Sequence, residues 1–231
     1  MLKKIPYKIK IIILIILCLI VVGIYFYNFV QNNNRKNAAA AAQTKTNTQI
    51  SKTQLKSADP NAQSLSQIKN KQLEDNCEKG HQAFNKKKYS EAIKIENAVI
   101  AEDPNFYKAY NIKGIALSFS NNYQDGMLNI DKALSIKPDF GYARFNKALS
   151  YELYGHYDDA ISWYNKALDV EKFVWSYYGI ASIYGRRGDV EATCRYLKIA
   201  IDMEAGVKDT ARAEEDFNNV KNSKEFQALL Q

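Results

Sequence analysis

Three cysteines, two histidines and ten glycines in 231 residues leave little material for most site chemistries. Cys18, Cys77 and Cys194 lie far apart, so no disulfide framework and no paired-cysteine metal or redox motif is present. The two histidines, His81 and His156, do not form the spacing of a zinc-hydrolase helix. No glycine-rich run is arranged to cradle a phosphate, and no nucleophile elbow occurs. These absences exclude the common nucleotide-binding, metallohydrolase and acyl-transfer sites, and no catalytic residue and no cofactor are expected. His156 falls in a polar turn and reads as solvated.

A further absence concerns charge. The chain carries a formal +7, which on its own suggests nucleic acid. Residues 1–72 hold eleven Lys/Arg and one acid, Asp59, net +10, while the remaining 21 basic and 24 acidic residues give −3. The folded part is thus mildly acidic, without the basic face that nucleic-acid binding requires.

The positive charge flanks an apolar run. Ile11 to Val30 contains no charged residue. As a helix it is about 30 Å long at ~1.5 Å per residue, the thickness of a hydrocarbon core. Tyr25, Phe26, Tyr27 and Phe29 gather at its end, as at a membrane interface. The run is longer than a signal-peptide core of ~7–15 residues and has no small-residue cleavage site directly after it. Cys18 follows Leu17, which does not fit a lipoprotein signal. The sequence therefore predicts an uncleaved single-pass anchor over 11–30, preceded by a basic cytoplasmic segment, 1–10. Lys3, Lys4, Lys8 and Lys10 outweigh Arg35, Lys36 and Lys45, which places the C-terminal domain outside the cell membrane. Residues 31–68, rich in Asn, Gln, Ser, Thr, Ala and Lys and without aromatics, read as a disordered tether with a reach of roughly 35 Å. Leu65, Ile68 and Leu73 are spaced so that a helix can begin within it.

Beyond Leu73 the chain repeats itself. GHQAFNKKKYSEAIKIENAVIAEDP, GIALSFSNNYQDGMLNIDKALSIKP and ALSYELYGHYDDAISWYNKALDVEK begin at Gly80, Gly114 and Ala148. Tyr89, Tyr123 and Tyr157 recur at the same interval, as do Pro104 and Pro138. A fourth copy, ASIYGRRGDVEATCRYLKIAIDMEA, starts one residue early at Ala181. Small residues on the first helix (Gly80, Gly114, Ala148, Ala181) and on the second (Ala92, Gly126, Ala160) allow close packing, and the prolines stop the second helix.

This period and these residues resemble the tetratricopeptide repeat, a helix–turn–helix unit. The tail, with Phe217, Val220, Phe226, Leu229 and Leu230, resembles the helical cap that closes many bacterial arrays of this kind. The expected fold is all-α: one transmembrane helix, then a right-handed α-solenoid of four repeats over 69–206 (about 73–106, 107–140, 141–173 and 174–206) and capping helices over 207–231.

The resemblance implies a protein- or peptide-binding groove on the inner face of the first helices. The matching positions are Asn111, Ile115, Ser118 and Phe119 in the second repeat, Tyr142, Phe145, Leu149 and Glu152 in the third, and Trp175, Tyr178 and Ser182 in the fourth. The basic clamp that some members use for a terminal carboxylate is not supported, because Cys77 and His81 stand at its positions in the first repeat. Cys77 and His81, one turn apart with Glu74 a turn back, form a weak candidate for zinc or thiolate chemistry. A Lys, Asn, Ile and Tyr bias fits an AT-rich bacterial genome. The expected function is a membrane-anchored adaptor in a bacterial envelope assembly. The alternative is a self-associating structural spacer.

Overall fold

The computed structural model describes residues 60–231. The chain divides into units 1–66 and 67–231, and the repeats belong to the second. The described helices are α1 (Pro60–Asn85), α2 (Tyr89–Glu102), α3 (Tyr107–Phe119), α4 (Tyr123–Ile136), α5 (Gly141–Leu153), α6 (Tyr157–Leu168), α7 (Val174–Arg186), α8 (Val190–Met203), α9 (Val207–Ala213) and α10 (Lys224–Leu230), with a 3-10 turn at Glu215–Phe217. Pairs α1/α2 to α7/α8 are the four helix–turn–helix repeats.

Each repeat turns by the same device. Lys87, Asn121, Gly155 and Gly188 follow the first helix of each pair with φ of 58°, 62°, 77° and 75°. This left-handed residue lets the next backbone N–H reach back across the turn, from Lys88 to Ala83 O (2.9 Å), Asn122 to Leu117 O (3.0 Å), His156 to Tyr151 O (2.9 Å) and Asp189 to Tyr184 O (3.1 Å). Glycine accepts the conformation freely and asparagine tolerates it, whereas Lys87 carries its strain.

Packing within a pair depends on small residues. A methyl group at Gly114 would lie 2.8 Å from the Gly126 carbonyl oxygen, so α3 and α4 cross nearly backbone to backbone. Four residues beyond each small residue of the second helix, the fully buried filler of the pair is Glu96, Ile130, Tyr164 or Leu197. Three of these are ordinary core residues. Glu96 places a carboxyl against Gly80, whose added Cβ would meet Glu96 Oε1 at 1.9 Å. Neither Glu96 oxygen has a hydrogen bond of normal geometry. The neighbouring Cys77 thiol is a weak donor, and burial raises the Glu96 pKa from 4.5 to about 8.

The last repeat is closed by the tail. Phe217, Val220, Phe226 and Leu230 are buried with Val207 and Ala211 against α7 and α8. Phe217 sits on Gly185, where an added Cβ would come within 2.6 Å of its ring.

The membrane-anchored fold class is corrected here to an all-α solenoid. No helix among the described residues is long and apolar enough to cross a membrane. The one helix of sufficient length, α1, carries Lys69, Lys71, Glu74, Asp75 and Glu78. The expected span over 11–30 and the tether up to Asp59 lie outside the described residues. Helix α1 begins at Pro60 and takes in the remainder of the expected tether.

Candidate functional site

The sequence-predicted groove residues lie on the first helices α3, α5 and α7 and separate into three groups. Ile115, Ser118 and Phe119 serve packing. Ile115 is buried, the Ser118 hydroxyl shares a 2.9 Å hydrogen bond with that of Ser150, and Phe119, still 36% exposed, meets Phe84 edge to face and Tyr89 at a tilt, with ring centroids 5.4 and 5.5 Å away.

Asn111 and Tyr142 line a cavity of about 410 Å³ with Glu74, Cys77, His81 and Lys108. Lys108 Nζ donates to Glu74 at 2.8 Å, which holds the lysine above its ordinary pKa. Tyr142 OH lies 3.3 Å from His81 Nε2. Asn146 donates to Asn111 Oδ1 at 3.0 Å, while Asn111 Nδ2 is buried without an acceptor. Cys77 is 3% exposed and packs with Leu73, Val99 and Ile112. Burial and the adjacent Glu96 push its thiol upward, which disfavours the thiolate that nucleophilic chemistry or metal ligation uses. Glu74, Cys77 and His81 therefore face three different partners. Among the described residues no group of three or more His, Cys, Asp or Glu side chains is placed to hold a metal ion.

Phe145, Leu149, Glu152, Trp175, Tyr178 and Ser182 come together around one cleft of about 440 Å³ between α5, α7 and the cap. Helical spacing explains the set: Phe145, Leu149 and Glu152 share one face of α5, and Trp175, Tyr178 and Ser182 one face of α7. The base of the cleft is polar. Tyr164 OH donates to Glu152 Oε2 at 2.6 Å, and Ser182 Oγ lies 3.0 Å from Glu152 Oε1. Ser182 Oγ also contacts Asp216 Oδ2, and Arg186 pairs with Asp216 Oδ1 at 2.5 Å. Burial lifts the Glu152 carboxyl above its usual range, and the two hydroxyl contacts oppose that shift. Gly179 makes room for Tyr164, since a Cβ there would meet the ring at 2.4 Å.

The upper wall is aromatic. Trp175 and Tyr178 meet edge to face with centroids 5.4 Å apart, and Tyr178 packs on Phe217 at 5.8 Å. Tyr178 is 8% exposed, and its hydroxyl has no hydrogen-bond partner. Burial, then Glu214 and Asp216, push that phenol upward.

Sequence reasoning missed Tyr164, Arg186, Glu214 and Asp216. Tyr164 comes from a second helix and Asp216 from the cap. The available signal was spacing, because Asp216 follows Ser182 by 34 residues, one repeat period.

No protein-family model matches the chain. It is 31% identical over 119 residues to a TPR repeat-containing protein of Methanocaldococcus jannaschii, a match covering 48% of this chain and 20% of that protein. It is 31% identical over 102 residues to the protein STIP1 homolog of Dictyostelium discoideum, covering 43% of this chain and 16% of that one. The chain thus spans a fifth or less of these relatives' lengths. Among solved structures it superimposes on a thermophilic TPR protein of Thermus thermophilus with TM-score 0.52 and 15% identity, covering 58% of this chain and 75% of that one. It superimposes on MamA with TM-score 0.50 and 15% identity, covering 68% and 85%. The expected single-pass localisation and envelope association are corrected with the anchor on the same ground: no helix among the described residues is long and apolar enough to cross a membrane. The likeness is one of fold: an all-α solenoid of tetratricopeptide type.

Proposed function

We propose that this solenoid is a non-enzymatic scaffold that binds a segment of another protein along the inner face of its first helices, chiefly in the cleft between α5, α7 and the cap. One observation carries this reading. Trp175 remains half-buried at the mouth of an open cleft whose core packing is already completed by Tyr164 and Phe217. Trp175 packs on Tyr178 with one side and leaves the rest exposed, and a partly exposed aromatic at a cleft mouth is a usual anchor of a protein interface.

Trp175→Ala is the cleanest test, because Tyr178 also supports Phe217 and its truncation would damage the cap. Peptides selected from a random display library on the full chain should lose affinity about tenfold or more in Trp175→Ala. They should retain it in Ile199→Ala, which alters the exposed side of α8. Unchanged binding by Trp175→Ala would remove the cleft from the account.

Self-association as a structural spacer is the second reading. Helix α1 runs for 26 residues against 14 in α2, about 39 Å against 21 Å, and Ile68 on its longer arm is 53% exposed. Sedimentation velocity of the full chain decides it: a concentration-dependent dimer supports the spacer, and a strict monomer ends it.

A further inference from the structure

We propose that the cleft between α5, α7 and the cap receives a cationic side chain, a lysine or arginine of the bound segment. This rests on the groove reading above and specifies what the groove selects.

The first argument is a count of protons. Ser182 Oγ is within hydrogen-bond reach of both Glu152 Oε1 and Asp216 Oδ2, yet a hydroxyl has one proton to give. Tyr164 has already spent its proton on Glu152 Oε2, and Arg186 serves Asp216 Oδ1. With both carboxylates ionised, one of the two Ser182 contacts sets oxygen against oxygen with no hydrogen between them, a gap filled either by a proton kept on Glu152, which burial favours, or by an arriving donor. The cleft is one donor short. An arriving ammonium offers three N–H donors and a guanidinium five, and neither brings an acceptor.

A second observation is independent of the carboxylates. Tyr178 lines the same cleft, and its hydroxyl is buried with no partner. Its oxygen is closed to solvent in the empty cleft, so a cation seated below Trp175 meets it as an acceptor once the Tyr178 ring moves. The aromatic wall adds ring faces, which attract cations more strongly as water is excluded.

Charge agrees with both. Glu152, Glu214 and Asp216 line the cleft against the single cation Arg186, which is held by Asp216 and lies 6.0 Å from the Tyr157 ring. An acidic side chain would meet Glu152 with no free cation beside it, and a neutral alkyl chain would leave the donor deficit unrepaired.

Fluorescein-labelled nonapeptides from the display selection, remade with lysine, arginine, norleucine or glutamate at the central position, test this on the full chain by anisotropy. Lysine and arginine peptides should bind about tenfold or more tightly than their norleucine counterpart, in keeping with the strength of charge-assisted hydrogen bonds. Glu152→Gln should bring that ratio close to one. Tyr178→Phe, which keeps the ring on Phe217 and deletes only the hydroxyl, should lower it severalfold and decides the matter if Glu152→Gln does not fold. Equal binding of lysine and norleucine peptides overturns the cation site and leaves the groove standing. A preference unchanged in Tyr178→Phe and in folded Glu152→Gln places the cation elsewhere and also overturns it. Failure of every peptide overturns the groove and the cation site together.

Discussion

Replacing Glu96 by glutamine should stabilise the first repeat, and by more as pH rises. Glu96 is fully buried opposite Gly80, and its pKa is lifted from 4.5 to about 8, chiefly by burial. In the unfolded chain the carboxyl ionises near 4.5, while in the folded chain it keeps its proton. Stability from this group is therefore complete below pH 4.5, falls as pH rises and levels off above about 8. At about 1.4 kcal/mol per pH unit, the loss between pH 5 and 7.5 is about 3 kcal/mol. Glutamine has nearly the same shape and no titration in this range. In a solenoid each repeat depends mainly on its neighbours, so the effect should concentrate in α1 and α2. Amide exchange of the full chain, corrected for the intrinsic pH dependence of exchange, reads the opening free energy of that repeat. The advantage of Glu96→Gln over the parent should grow by about 3 kcal/mol from pH 5 to 7.5. A constant advantage across that range would refute the reasoning, because it would mean that Glu96 ionises alike in the folded and unfolded states.

Two further substitutions probe the repeat turns and the base of the cleft. Lys87→Gly relieves a side chain held at φ 58° and should raise stability by about 1 kcal/mol, read as an increase in the urea midpoint for α1–α2. Tyr164→Phe removes the 2.6 Å donor to Glu152 and should cost about 1–3 kcal/mol while preserving helicity by circular dichroism.

Much of the fold was legible because the repeat imposes the same demands at each turn of the array. Gly114 and Gly126 announce a close crossing, and Pro104 and Pro138 announce helix ends. Phe217 and Phe226 at the tail announce an apolar end that must be covered. Glu96 was not legible. A glutamate on an amphipathic helix reads as solvated, and only its alignment with Ile130, Tyr164 and Leu197 shows that the position is enclosed. Phe119 has the spacing of a groove residue, and what its spacing does not show is that it also leans on Phe84 and Tyr89 of the preceding repeat while staying 36% exposed. The cleft was half legible. Helical periodicity gathers Phe145, Leu149 and Glu152 on one face, but nothing local shows that Asp216, from a segment that reads simply as a cap, closes the other side. The apolar run at 11–30 is as conspicuous in sequence as any of these features, and it falls outside the described residues.

Asp216 belongs to two structures at once: the lid that seals the last repeat, and the floor of the cleft. Occupancy and end-stability are therefore linked by mass action. A ligand that engages the cleft and is absent from the frayed state adds about 2.7 kcal/mol to the terminal unit at a concentration a hundred times its Kd. Reciprocally, whatever loosens the C-terminal helices weakens the ligand by the same factor. On the proposed reading a ligand in the cleft fastens that end from outside, and a proteolytic clip between Asp216 and the last helix would switch binding off by freeing the cap rather than by cutting the site itself.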